Sequence, residues 1–362
     1  MDLSLEKNLF IDKYGAENKT VPVFHQNEIK LLNKMTEDVS IPHMIFYGPT
    51  SSGKKTLVKL FLENLYKDKS VNKLIDTPYK VYSGNNKAND VIIKQSNYHI
   101  IIEPNNNNFD KYLIQYVVKD YAKKLPLCVF TTHKPFKIVL INNIDYLSYY
   151  AQTSLRRTME KFSSTCRFIM ICKSLSGVID PIRSRCYCFK IDSPSNNDLT
   201  NLICNIAYQE QINLTLAEYN KILNLSEGNI KKILWSLQMK KLGLTQTTSY
   251  DVSIKKIFDK LLSNDLEEIL SIRILIYNIM ITNITGIQIM RDVLKKILKS
   301  KKVNETCKLN VAEIAARYSH NLTRCRREII HLEAFIVGVM DIFHKYNTII
   351  CDDINHDRMI DD

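Results

Sequence analysis

Gly48, Pro49, Thr50, Ser51, Ser52, Gly53, Lys54, Lys55 and Thr56 are the residues of this sequence best placed to do chemistry. Their spacing is that of a phosphate-binding loop. In such a loop glycines let backbone N–H groups converge on phosphate oxygens, and a lysine, here Lys54, reaches the outer phosphates. The apolar run 44–47 precedes the loop, and Leu57, Leu60, Phe61 and Leu65 follow it at helical spacing. Strand, loop and helix therefore come in the required order, which counts against a glycine turn that binds nothing. Lys55 departs from the pattern. Ser or Thr should stand there to hold magnesium, and a cation repels the metal instead.

A second run, Ile138, Val139, Leu140 and Ile141, leads into Asn142, Asn143, Ile144 and Asp145. Phosphoryl transfer needs at this point a carboxylate for magnesium and a Glu to activate water. Both positions hold amides. Asparagine cannot take a proton from water near neutral pH, and general-base assistance is worth ~10² to 10⁴ in rate. Asp145 is either a helix N-cap or a displaced metal ligand, with the cap preferred. The site is thus expected to take a nucleotide, ATP or ADP, without magnesium of its own, and to hydrolyse it poorly unaided.

The elements that must position these residues follow from hydrophobic patterning. Short apolar runs at 44–47, 99–103, 137–142, 167–172 and 186–191 alternate with amphipathic segments, which predicts an α/β domain on a parallel sheet over residues 1–192. The polar segment 191–197 with Pro194 marks a boundary. Beyond it Leu199, Leu202, Ile203 and Ile206 open a small helical unit, 193–243, and the polar stretch 244–249 precedes an all-α unit, 244–362. In that last unit Leu332, Phe335, Ile336, Val339, Met340 and Phe343 form one apolar stripe, read as core or, more sharply, as a subunit interface. Asn105 to Asn108 read as a surface loop.

Composition sets outer bounds. The chain has 362 residues, 45 % apolar and 24 % charged, with a formal charge of +12. That charge suits a polyanion partner, although the lysines are dispersed. No run approaches the roughly 18 apolar residues of a membrane span, and the N-terminus lacks a secretory pattern, so an intracellular protein without a membrane partner is expected. Nine cysteines include no CxxC pair and read as buried thiols rather than a metal site.

Taken in chain order, Asp145, Ala151, Gln152, Leu155, Arg156, Arg157, Thr158, Met159, Glu160, Lys161 and Phe162 resemble the helix that follows the Walker B strand in replication factor C small subunits. Asp180, Pro181, Ile182, Arg183, Ser184, Arg185 and Cys186 resemble that family's SRC signature. Phe10, Ile11, Asp12, Lys13 and Tyr14 near the start and His331, Leu332, Glu333, Ala334 and Phe335 near the end extend the likeness. The Gly53-Lys54-Lys55-Thr56 form and the late His331-Leu332-Glu333-Ala334-Phe335 resemble one paralogue in particular, the terminal small subunit of the eukaryotic pentamer, whose own ATPase site is degenerate.

The resemblance implies an AAA+ sheet domain, a helical lid and a helical collar. It further implies a hetero-pentameric clamp-loader ring, with the sliding clamp and primer–template DNA, bound without sequence preference, as partners. A nuclear or viral replication compartment is implied as the setting. It makes Arg185 an arginine finger for a neighbouring subunit, places Lys231 at the sensor-2 position and puts Lys173 where the sensor-1 Asn is expected. In the DNA-facing helix Gln115 stands where other subunits carry arginine, leaving Lys119 as the nearest cation. Arg156 and Arg157 either face a neighbour or form a solvated helical face. Two rivals stand beside this reading: a self-sufficient AAA+ DNA-dependent ATPase or helicase-like motor using Asp145, and a structural subunit without nucleotide.

Overall fold

The computed structural model describes residues 9–357 apart from 15–23, 38–39, 69–70, 72, 83–87, 105–109, 124–135, 227, 245–247, 264–267, 302 and 326. The expected loop at 105–108 and the centre of the polar stretch 244–249 lie outside the described residues. The chain divides into two compact units, Met1–Leu244 and Thr245–Asp362.

The first unit is built on a seven-stranded sheet in the order β2-β3-β4-β5-β6-β1-β7. Its strands are β1 (His43–Tyr47), β2 (Ile75–Tyr82), β3 (Ala88–Gln95), β4 (His99–Ile102), β5 (Lys137–Ile141), β6 (Cys166–Cys172) and β7 (Cys186–Lys190). The five strands from β4 to β7 along the sheet are parallel and coincide with the five apolar runs. β2 and β3 add an antiparallel extension that the pattern did not signal. β2 is largely exposed and carries Pro78, tolerated because an edge strand has a side that needs no ladder bond. Such a strand has no continuous apolar run to find.

Successive side chains of β1 face opposite ways, as the two-residue period requires. Met44 and Phe46 pack with Leu57, Phe61 and Leu62 of the helix Lys54–Tyr66. Ile45 joins Val139, Met170 and the helix Tyr149–Lys161 on the other face. The sheet is thus covered on both faces, and the carboxyl ends of its parallel strands form one edge, where open α/β sheets hold ligands.

After β7, Ser195 and Asp198 form a capping box that starts the helix Asn196–Gln209; Leu216–Ser226 and Ile230–Lys241 follow. Leu199, Leu202, Ile203 and Ile206 bury against Ile233 and Leu237. Phe10, Tyr14 and Phe24 join this cluster, so the N-terminal helix Phe10–Lys13 packs with these helices.

The second unit consists, among the described residues, of helices Ser249–Ser263, Glu268–Met280, Gly286–Lys299, Glu305–Arg324 and Glu328–Asp357. Leu332, Phe335, Ile336, Val339, Met340 and Phe343 are all buried within it. The apolar stripe is core. The cysteines are less uniform than expected: Cys166, Cys172 and Cys307 are buried, while Cys188 and Cys204 are exposed.

Candidate functional site

The loop between β1 and the helix Lys54–Tyr66 is shaped by two glycines. A Cβ on Gly48, whose φ is +152°, would lie 1.9 Å from the Ile191 carbonyl oxygen, because the chain leaving β7 crosses directly over it. Gly53 is left-handed, with φ 92° at the helix N-cap, a conformation L side chains resist. The turn aims the N-terminus of this helix, and its partial positive charge, at the carboxyl edge of the sheet.

A cleft of about 430 Å³ opens there. Gly53, Lys54, Lys55 and Thr56 line one wall, Asn143 and Lys173 the ends of β5 and β6, and Lys231 the start of the helix Ile230–Lys241. Residues distant in sequence, singled out for phosphate chemistry, thus converge on one space. Gly48 contributes differently: its carbonyl oxygen accepts from Lys54 Nζ at 2.8 Å, beside the Pro49 carbonyl. Burial pushes the Lys54 ammonium down from its ordinary value, while the nearby Asp145 carboxylate pulls it up.

Much of the rest of the cleft is apolar. Ile11, Tyr14 and Phe24 come from the N-terminal segment, Leu202 and Leu234 from the helices after β7. His25 adds a ring whose Nε2 lies 2.9 Å from the Ser52 carbonyl oxygen, bracing the loop. An apolar slot beside a phosphate loop has the chemistry to take a flat base. Sequence offered no marker for it beyond the Phe10-to-Tyr14 likeness, since these positions are ordinary core residues by type.

The metal side of the site is altered in a connected way. Lys55 Nζ approaches Glu103 Oε1 to 3.4 Å, and the same oxygen accepts from Asn142 Nδ2 at 2.8 Å. Burial raises the Glu103 carboxyl, but the Asn142 hydrogen bond and the Lys55 charge outweigh it and hold the group below its usual range. An ammonium therefore already neutralises the acidic residue at the end of β4. Asn143 sits in the left-handed region, φ 53°, which asparagine tolerates better than glutamate does. This arrangement fits a nucleotide and does not fit magnesium.

Asp145 does not cap the following helix, contrary to the sequence expectation. Ser148 is the N-cap of Tyr149–Lys161, and Asp145 Oδ2 instead accepts from the Lys173 backbone N–H at 3.2 Å, tying the end of β5 to that of β6. Lys173 turns its own ammonium onto the Tyr146 hydroxyl, 2.7 Å away. Lys231 lies in the first turn of its helix, where the Asn229 side chain caps its backbone N–H.

Arg185 and Lys119 lie outside the cleft lining. Lys119 is exposed where a π-helical turn, Ile114–Val118 with Gln115 also exposed, passes into Lys119–Lys123. Arg185 follows the short helix Asp180–Arg183, whose C-cap is Ser184, and is held on the surface by the Pro181 carbonyl at 2.8 Å and Glu160 at 2.7 Å. Gln152, buried, fixes the approach to this segment: its amide donates to Leu147 and Gly177 carbonyls and accepts from the Ile179 N–H. Its importance was hidden within the helix likeness.

A phosphate loop at the carboxyl edge of a parallel sheet, with a small helical unit behind it, defines an AAA+ nucleotide-binding protein followed by an all-α region. Residues 250–347 match the C-terminal domain of replication factor C subunit 3, and residues 24–195 match the delta subunit of DNA polymerase III. A replication factor C small subunit of Acanthamoeba polyphaga mimivirus is 37 % identical over 336 residues, covering 91 % of this chain and 90 % of that protein. Replication factor C subunit 3 of Bos taurus is 30 % identical over 349 residues, covering 94 % and 97 %, and that of Arabidopsis thaliana 28 % identical over 350, covering 93 % and 98 %. The chain belongs to the replication factor C small-subunit family, and with that membership comes nucleotide use. None of its described helices is long and apolar enough to cross a membrane.

Proposed function

We propose that this chain is a clamp-loader small subunit that holds ATP or ADP, hydrolyses it poorly by itself, and lends Arg185 to the active site of an adjacent subunit. One contrast supports this above all. The cleft keeps its binding parts, Gly53, Lys54, Thr56, Lys231 and the apolar slot, while Lys55, Asn142 and Asn143 replace the groups that would bind metal and activate water. Arg185 meanwhile stands on the surface, away from the chain's own cleft.

An arginine supplied from outside stabilises charge on the transferred phosphoryl group and is worth ~10³ to 10⁵ in favourable cases. In this reading residues 193–243 serve as a lid on the nucleotide and 244–362 as the collar of a hetero-pentameric ring. The ring acts on a sliding clamp and primer–template DNA in a nucleus or a viral replication compartment. Lys119 and other exposed cations would meet the DNA backbone by charge, without sequence preference.

The test is the ATPase rate of the assembled ring carrying Arg185→Ala or Lys54→Ala in this subunit. A large loss with Arg185→Ala and a small one with Lys54→Ala is expected. Abolition by Lys54→Ala with Arg185→Ala indifferent would make this cleft the engine and overturn the proposal.

A further inference from the structure

We propose that Glu160 is the positioning residue for Arg185, holding its guanidinium at the height and angle from which it reaches a phosphate on the neighbouring subunit. The inference rests on the finger role proposed above.

Arg185 is fixed at two ends. Its Nη1 donates to the Pro181 carbonyl at 2.8 Å and contacts Ser184 Oγ at 3.3 Å, both within its own turn. Its Nη2 reaches across to Glu160 Oε1 at 2.7 Å, on a different helix. The local contacts alone would let the long side chain swing about the turn. The Glu160 bond adds the restraint that selects one direction. A guanidinium has five N–H donors, so these three acceptors leave capacity for a phosphate oxygen.

Glu160 is committed to this task by its surroundings. The same Oε1 accepts from Arg156 Nε at 3.1 Å, one turn earlier on the helix. The Arg156 hydrogen bond and the nearby Arg156 and Arg185 charges hold the Glu160 carboxyl below its usual range, which favours the charged form that pairs with both guanidiniums. One carboxylate thus gathers two guanidiniums that would otherwise repel each other on an exposed face. Arg183, the other arginine of the segment, pairs with Asp180 and does not compete. The helix bearing Glu160 and the segment bearing Arg185 are locked in register by buried Gln152, whose amide spans them. The pair is therefore built into the frame.

The test uses the assembled loader with its partner subunits, clamp and DNA. Glu160→Ala is expected to lower kcat by about tenfold, a fraction of the ~10³ to 10⁵ that the arginine itself supplies, with KM for ATP unchanged. Glu160→Gln keeps length and an acceptor oxygen and is expected to recover part of the loss. Glu160→Ala added to Arg185→Ala should cost nothing further, because a positioning residue acts only through what it positions. An unchanged or faster rate in Glu160→Ala, with Arg185→Ala still deleterious, would overturn the inference and leave the finger standing. Full additivity in the double variant, or a fall in assembly equal to the fall in rate, would overturn it equally. Indifference to Arg185→Ala would remove the finger itself.

Discussion

Nucleotide binding by this chain is expected to be indifferent to magnesium, and Lys55→Thr is expected to make it metal-sensitive. Lys55 Nζ lies 3.4 Å from Glu103 Oε1, and Lys55 occupies the loop position from which a hydroxyl would ligate the metal. A divalent ion about 5 Å from an ammonium is repelled by roughly 7 kcal/mol at an effective dielectric of 20 and by roughly 1.7 kcal/mol in bulk water. The Lys55 side chain is 57 % exposed, so the lower figure governs, and with the Glu103 carboxylate beside the ammonium it sets an upper bound of about tenfold on the loss of metal affinity. Asn142 and Asn143 offer no carboxylate to offset it. The assay titrates a fluorescent ADP analogue into the chain in magnesium and again in a chelator. The two dissociation constants should agree, whereas Lys55→Thr, which also releases Glu103 from its ammonium, should bind more tightly in magnesium. Tightening of the native chain by magnesium of about tenfold or more would refute the electrostatic argument.

Four further outcomes follow from the same contacts. Lys54→Ala should weaken nucleotide binding by ~10- to 100-fold, the worth of a charge-assisted bond, in the same titration. Gly48→Ala should reduce soluble, nucleotide-competent protein sharply, because its Cβ has only 1.9 Å to the Ile191 carbonyl oxygen; calorimetric melting would show it. Burial pushes the Glu210 carboxyl up, but hydrogen bonds from Lys13, Tyr14 and Lys241 outweigh it and hold it at about 2. Its folded value is depressed, so its stabilisation is present above the ordinary value near 4.5 and lost as pH falls from there towards 2, a loss that acid melts should show for native protein and not for Glu210→Gln. Phe335→Ala, in the core of the second unit, should cost about 3 to 5 kcal/mol, read by denaturant unfolding.

What the sequence disclosed depended on whether a residue's type was itself unusual for its place. The five buried parallel strands announce themselves as apolar runs, and Lys55, Asn142 and Asn143 stand out because a known chemistry needs other groups there. β2 stayed hidden because its side chains are largely exposed and Pro78 argues against a strand anywhere but an edge. The apolar slot stayed hidden for the opposite reason: Ile11, Leu202 and Leu234 look like any other core residues until the fold brings them to one cavity. Glu103 and Glu160 are ordinary surface acids in sequence. Only the distances to Lys55 and Arg185 give them roles. At Asp145 an acid before a helical pattern suggests a cap, but the intervening 3-10 turn Ile144–Tyr146 moves the helix N-cap to Ser148.

Loss of the catalytic groups need not remove the reason to bind nucleotide. The phosphate side of the cleft belongs to the sheet, through Gly53 and Lys54, whereas the apolar side belongs to the N-terminal segment and the helices after β7. Those two parts are bound to each other. The Phe10 backbone N–H donates to Gln238 Oε1 at 3.2 Å, and Glu210 gathers Lys13, Tyr14 and Lys241. A nucleotide filling the cleft would bridge the sheet to this joined body, and its binding free energy would favour one orientation of that body over the others. Nothing in that linkage calls on Asn142 or Asn143 to become a base, or on magnesium. With Arg185 as its proposed contribution to turnover and residues 193–243 as its proposed lid, such a subunit keeps a use for bound nucleotide after its own hydrolysis is lost.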